Sequence, residues 1–216
     1  MLRAALLAVT IWHSVQGRPI VVHSVGPADA PRKVLVVGCI HGNECAGAAV
    51  TRALRSAQPP PGVQLLLVDR ANPDGSAADT RGNAHRVDLN RNFPWAWRPL
   101  GGAYYAGPRP ASEPETRALR RFVLRERPAV SIWFHQHLSF VILQRGSSAS
   151  LMRRYARVAH MRTGHYPQVP GGAPRWETHV LPGTTSFAVE LAAGALPRWR
   201  VRANARAVLA VARQRV

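Results

Sequence analysis

Lys33-Val34-Leu35-Val36-Val37-Gly38-Cys39, running on into Ile40-His41-Gly42-Asn43-Glu44, is the stretch that decides the fold. From Val34 to Val37 every residue is apolar and most are β-branched, the pattern of a strand buried on both faces. An alanine-rich segment from about Glu44 to Ala57 reads as a helix. Pro59-Pro60-Pro61-Gly62 reads as a turn, and Val63–Val68 as a second apolar strand. Strand, helix, strand in that order predicts a right-handed parallel unit.

The flanks continue the alternation. Upstream, Ile20–His23 reads as a strand. Downstream, residues 70–112 are rich in Asn, Pro, Gly and Arg, and so long an aperiodic stretch inside a compact domain points to function. Ser112-Glu113-Pro114-Glu115 looks like a capping box opening a helix that runs to about Arg127. Ala129–His135 and Phe140–Gln144 read as two strands, and 150–162 as a basic amphipathic helix. A loop from His165 to Gly183 precedes the strand Thr185–Leu191, and Trp199–Arg213 closes the chain as a helix. The predicted fold is a single-domain layered α/β/α sandwich with a mixed, largely parallel sheet.

Composition narrows the functional classes. A chain of 216 residues fits one domain. The balance of 29 basic against 11 acidic residues gives a formal charge of +18, almost all from arginine, since Lys33 is the one lysine. The arginines are spread over helical segments without interleaved aromatics, so they read as solvated faces rather than a specific nucleic-acid surface. Cys39 and Cys45 read as two small buried thiols, too sparse for a disulfide framework. Residues 1–12 carry one positive charge and then an apolar run, compatible with a remnant of a signal peptide or with an N-terminal strand. Cytoplasmic and secreted locations therefore both stay open. No stretch is long enough to span a membrane as a helix.

The chemistry gathers where strands end. His41 and Glu44 follow the strongest strand, at the edge where open α/β sheets bind ligands. Their spacing of three puts imidazole and carboxylate on one turn, a donor pair suited to Zn²⁺. The third ligand falls to His135 or His137, which end another strand two residues apart and share a face. Glu190, inside Phe187-Ala188-Val189-Glu190-Leu191, is a carboxylate in an apolar strand; burial suits it to proton transfer, unless one of the many arginines pairs it. Arg81 and Arg91 share one loop and suggest one fork for a substrate carboxylate and one for a developing oxyanion. Asp88 is placed to accept the second ring N–H of His41. Asn72-Pro73-Asp74-Gly75 reads as a turn.

Taken in order, Gly38-Cys39-Ile40-His41-Gly42-Asn43-Glu44, Asn72-Pro73-Asp74-Gly75, Thr80-Arg81, Asp88-Leu89-Asn90-Arg91-Asn92-Phe93, Ser112-Glu113-Pro114-Glu115, His135 and Phe187–Leu191 resemble the zinc carboxypeptidase family. Ser14–Ile20 looks like that family's usual first strand, so the resemblance starts at about residue 13. Size and the Val87–Pro94 wording are most similar to the bacterial branch with murein peptide amidases, which cut between D-glutamate and diaminopimelate. The resemblance implies one zinc on His41, Glu44 and His135, with Glu190 activating water at the zinc and later protonating the leaving amine. It implies that Arg81 stabilises the oxyanion, and that Asn90 and Arg91 hold the terminal carboxylate of a peptide, a cell-wall one in the amidase branch. Tyr166 is the candidate for the family's substrate-covering tyrosine. Arg175 lies where the specificity pocket is built and predicts a preference for an acidic side chain. Two rivals remain: a deacylase of N-acyl amino acids like aspartoacylase, which shares the His-Gly-Asn-Glu and Asp-Leu-Asn-Arg patterns, and a non-catalytic domain that binds peptides or polyanions.

Overall fold

A computed structural model describes residues 6–214. Seven strands form one sheet: β1 (Leu6–His13), β2 (Pro19–Val25), β3 (Arg32–Val37), β4 (Val63–Val68), β5 (Val130–Ile142), β6 (Arg162–Gly164) and β7 (Thr185–Ala192). Their order is β1-β2-β4-β3-β5-β6, with β7 also on β5. The pairs β1/β2 and β2/β4 are antiparallel, and β3 is parallel to both β4 and β5. β6 and β7 are both parallel to β5. The mixed, largely parallel sheet is the expected one. Of the segment that reads as leader or strand, residues 1–5 lie outside the described residues, and Leu6–His13 pair with β2.

Helices α1 (Gly47–Leu54), α2 (Pro73–Ala78), α3 (Pro114–Glu126), α4 (Ala149–Ala159), α5 (Ala173–Val180) and α6 (Arg198–Ala212) complete the chain. The core lies on both faces of the sheet because strand residues alternate. Val34, Val36, Ile132, Phe134 and Val189 pack with apolar residues of α1, α4 and α6. Leu35, Val37 and Trp133 pack on the other face with Leu119 and Phe122 of α3 and Trp176 of α5. The layer of α1, α4 and α6 contains no acidic residue, and its exposed arginines (Arg52, Arg153, Arg157, Arg202 and Arg206 among them) have no ion-pair partner among the described residues.

Several local expectations are corrected. Asn72-Pro73-Asp74-Gly75 is no free turn: Asn72 Oδ1 accepts the Gly75 N–H at 2.9 Å and Pro73 takes the first position of α2. Asp74 then accepts from Ser14 Oγ at 2.7 Å and from Arg18 at 2.8 Å. That contact holds Ser14–Arg18 as the turn between β1 and β2, where the resemblance expects a strand. The capping box is absent: Glu113 is the N-cap of α3 and makes no side-chain cap bond. Ser112 donates to Glu113 instead, and Glu115 accepts from the Val15 N–H, tying α3 to that turn. The two predicted strands at 129–144 are one long strand with register shifts after His137. The loop 165–183 contains α5. Cys39 and Cys45 are joined as a disulfide, their Cα atoms 4.7 Å apart, and are not thiols; a spacing of six spans the His41 turn so tightly that the two side chains meet.

Candidate active site

Strand register brings the turn after β3, His135 and Glu190 together. Val37 of β3 pairs with Trp133 of β5, so the turn after β3 lies beside the stretch of β5 that follows Trp133. His135 pairs with Glu190 of β7 on the other side. Gly42 lets the His41 turn settle on α2, because a Cβ there would overlap the Gly75 backbone.

Three donors converge on one point. The Nδ1 atoms of His41 and His135 are 3.2 Å apart, and Glu44 Oε2 lies 2.9 Å from the first and 3.2 Å from the second. One ligand atom from each of the three residues falls within 4.8 Å of the others. His41 Nε2 is 2.9 Å from Asp88 Oδ1, which draws the ring proton to Nε2 and leaves the Nδ1 lone pair facing inward. Two imidazole nitrogens and a carboxylate facing each other can hold a shared cation, and the His₂Glu set with its carboxylate behind one histidine suits zinc. His137, the other candidate ligand, is exposed and outside this group.

Electrostatics express the same crowding. Burial opposes charge on His41, yet Asp88 and then Glu44 outweigh it and raise its pKa. Burial likewise works to raise Glu44, but hydrogen bonds from His135 and His41 hold it well below the usual carboxylate range. Asp88 is fully buried, and His41, Arg81 and Arg91 keep it ionised in spite of that. Arg81 spans the two carboxylates, 2.7 Å from Glu44 Oε1 and 2.9 Å from Asp88 Oδ2.

The donors line a cleft of about 680 Å³. Its walls include Arg81, Asn90, Arg91, Tyr166, Arg175 and Glu190, so every predicted site residue reaches it except Asp88, which lies beneath His41. Glu190 is buried, its Oε2 has no hydrogen-bond partner, and no arginine pairs with it among the described residues. Arg91 is buried too, donating to the Asn90 carbonyl at 2.9 Å, and burial lowers its pKa. Asn90 Oδ1 accepts the Ala173 N–H at 2.8 Å and so fixes the start of α5.

Two residues escape the sequence. Gln136 has its backbone N–H 3.2 Å from Glu44 Oε2, while its side chain accepts from Ala46 N and donates to the Ala192 carbonyl. It staples the metal-side turn to the ends of β5 and β7; its place between two histidines in His135-Gln136-His137 was the only signal. Tyr104 lies with its ring 5.2 Å from the guanidinium carbons of both Arg81 and Arg91. Nothing in the glycine-rich segment around it signals that contact.

The family model described as Zinc carboxypeptidase matches residues 62–169, half of the chain. Murein peptide amidase A of Escherichia coli (strain K12) is 30% identical over 172 residues, 69% of this chain and 68% of that protein. Murein peptide amidase A of Vibrio campbellii (strain ATCC BAA-1116) is 32% identical over 156 residues, 64% and 62% of the two chains. Among solved structures, the murein-tripeptide amidase from Escherichia coli O157 matches with a TM-score of 0.78 at 23% identity, covering 100% of this chain and 99% of that one. Bovine thrombin-activatable fibrinolysis inhibitor matches with a TM-score of 0.79 at 20% identity, covering 96% and 88%. The structures carry the fold, and the sequence matches carry the kinship: this chain belongs to the zinc carboxypeptidase family and is a metallopeptidase of the branch resembling the murein peptide amidases.

Proposed function

We propose that this chain removes the residue at the free carboxyl end of a peptide, with zinc held by His41, Glu44 and His135 and with Glu190 as general base. The observation that carries the reading is one cleft holding both a converging three-donor cluster and the Glu190 carboxylate, whose buried Oε2 has no hydrogen-bond partner among the described residues. Zinc, when bound, supplies a Lewis acid that polarises a carbonyl and makes water easier to deprotonate.

The remaining work belongs to side chains. Glu190 accepts the proton of the attacking water and returns it to the leaving amine. Asp88 keeps the His41 proton on Nε2. Arg91, buried and without a carboxylate partner among the described residues, offers its fork to the terminal carboxylate, with Asn90 beside it. Arg81 has donors left for the oxygen that gains charge. The murein-amidase relatives support a cell-wall peptide, and its γ-D-glutamyl–diaminopimelate bond, as the substrate. Arg175 and Arg145 in the cleft wall support an acidic one.

The test is metal content and hydrolysis on one purified sample. Zinc per chain is measured first. A murein tripeptide, L-peptides with free or amidated carboxyl ends, and N-acyl amino acids are then offered with and without chelator. About one zinc and chelator-sensitive release of a carboxyl-terminal residue, blocked by amidation, is the expected result. Cleavage of N-acyl amino acids alone would move the chain to the deacylases. Neither zinc nor hydrolysis would leave a binding domain.

A further inference from the structure

We propose that Tyr104 is a positioning residue, an aromatic cover over the Arg81 and Arg91 guanidinium groups that keeps Arg91 poised for an incoming carboxylate and Arg81 for the oxygen that gains charge. The inference rests on the exopeptidase reading above, and neither the fold nor the motif set assigns this residue a role.

Three observations carry it. Tyr104 stands the same 5.2 Å from both guanidinium carbons, within cation–π range of each. Arg81 and Arg91 repel one another, and Arg81 makes it harder for Arg91 to keep its proton. The negative face of an aromatic ring offsets that repulsion without using up an N–H, so the donors of both arginines stay available for substrate oxygens. The ring itself is 51% exposed, so packing into the core does not explain where it stands.

The segment that carries Tyr104 suits the role. It includes Gly101-Gly102, where an added Cβ would meet nothing within 4 Å. Its base is tied down: the Asp88 N–H donates to the Tyr105 carbonyl at 2.8 Å, and Asn92 Nδ2 to the Ala106 carbonyl at 2.8 Å. The cover is thus anchored to Asp88, which also contacts His41 and Arg81. Arg81 has carboxylates of its own to hold it, whereas Arg91 has only the Asn90 carbonyl among the described residues, so Arg91 depends on the ring more.

The experiment compares Tyr104→Leu, Tyr104→Ala and Tyr104→Phe in the zinc-loaded enzyme on a peptide with a free carboxyl end. The same variants, placed on Glu190→Gln, are titrated calorimetrically with that peptide so that binding is read without turnover. Leu and Ala are expected to raise KM and Kd about tenfold, with kcat changed much less, and Phe to recover most of the loss. Melting temperatures should stay level across the series, as befits a half-exposed ring. Unchanged KM and Kd in Tyr104→Leu would overturn the proposal, and so would a Phe variant as weak as Ala, which would make the hydroxyl the working group. A parent protein that binds the peptide without cleaving it, even before Glu190 is changed, would sink the exopeptidase reading alone. The Leu and Phe dissociation constants would then still decide for or against Tyr104.

Discussion

Glu190→Gln keeps the shape of the side chain and removes its ability to take a proton. The expected outcome is a loss of kcat by about 10²–10⁴-fold with zinc content unchanged, read by steady-state kinetics beside metal analysis. Asp88→Asn tests the support of the cluster. With the carboxylate gone, His41 loses the partner that orients it, and zinc affinity should drop by about 10–100-fold in a chelator competition. The same scale shows what a sequence can and cannot say. His41, Glu44 and Glu190 were legible because a polar group at the end of, or inside, an apolar strand stands out. His135 and His137 were indistinguishable by alternation, since both positions share a face. They part in burial: His135, paired with Glu190, is buried, whereas His137, paired with Ala192 where the β5–β7 register begins to shift, is exposed. Glu177 was invisible. It lies in a segment with no periodic signal, yet it is fully buried and accepts from Ser131, Trp133 and Ser186.

Elements came through where the pattern was long and failed where a neighbour overrode it. The buried strands β3, β4 and β7 and the helices α3, α4 and α6 follow from periodicity. Helix α5 did not, because its start is fixed from afar by Asn90. The Asn72-Pro73-Asp74-Gly75 segment carries both turn chemistry and helix-cap chemistry, and the Asn72 cap decided for the helix. Its Gly75 and the Gly42 of the metal-side turn are in contact, which neither motif reveals alone. Gly42→Ala should therefore push the His41 turn off α2. The expected cost is about 1–3 kcal/mol in urea unfolding, from forcing a methyl into a filled space. Zinc should be held more weakly as well. Gly42→Ala at wild-type stability and zinc content would show that the two motifs can separate freely.

For the whole molecule, the buried carboxyl of Glu177 links stability to pH. Burial pushes its pKa from an ordinary 4.5 up to about 7. Between those values the folded chain keeps a proton that the unfolded chain releases, so stability falls as pH rises through this window. Relative to Glu177→Gln, the wild-type protein should lose about 3 kcal/mol between pH 4.5 and 7.5, measured by denaturant unfolding at several pH values. Parallel curves for the two proteins would mean that the carboxyl ionises at little cost. The outer layer of α1, α4 and α6 bears on behaviour at a larger distance. With no carboxylate in those helices and their exposed arginines without an ion-pair partner among the described residues, two copies cannot approach back to back at low ionic strength without like charges meeting. The Debye length is about 8 Å in physiological salt, so that hull is felt only within a few water layers. Salt thereby becomes a control on where the molecule lodges: in dilute buffer the hull is expected to hold the protein on an anionic matrix, and elution at a few hundred millimolar salt from a cation exchanger would show it.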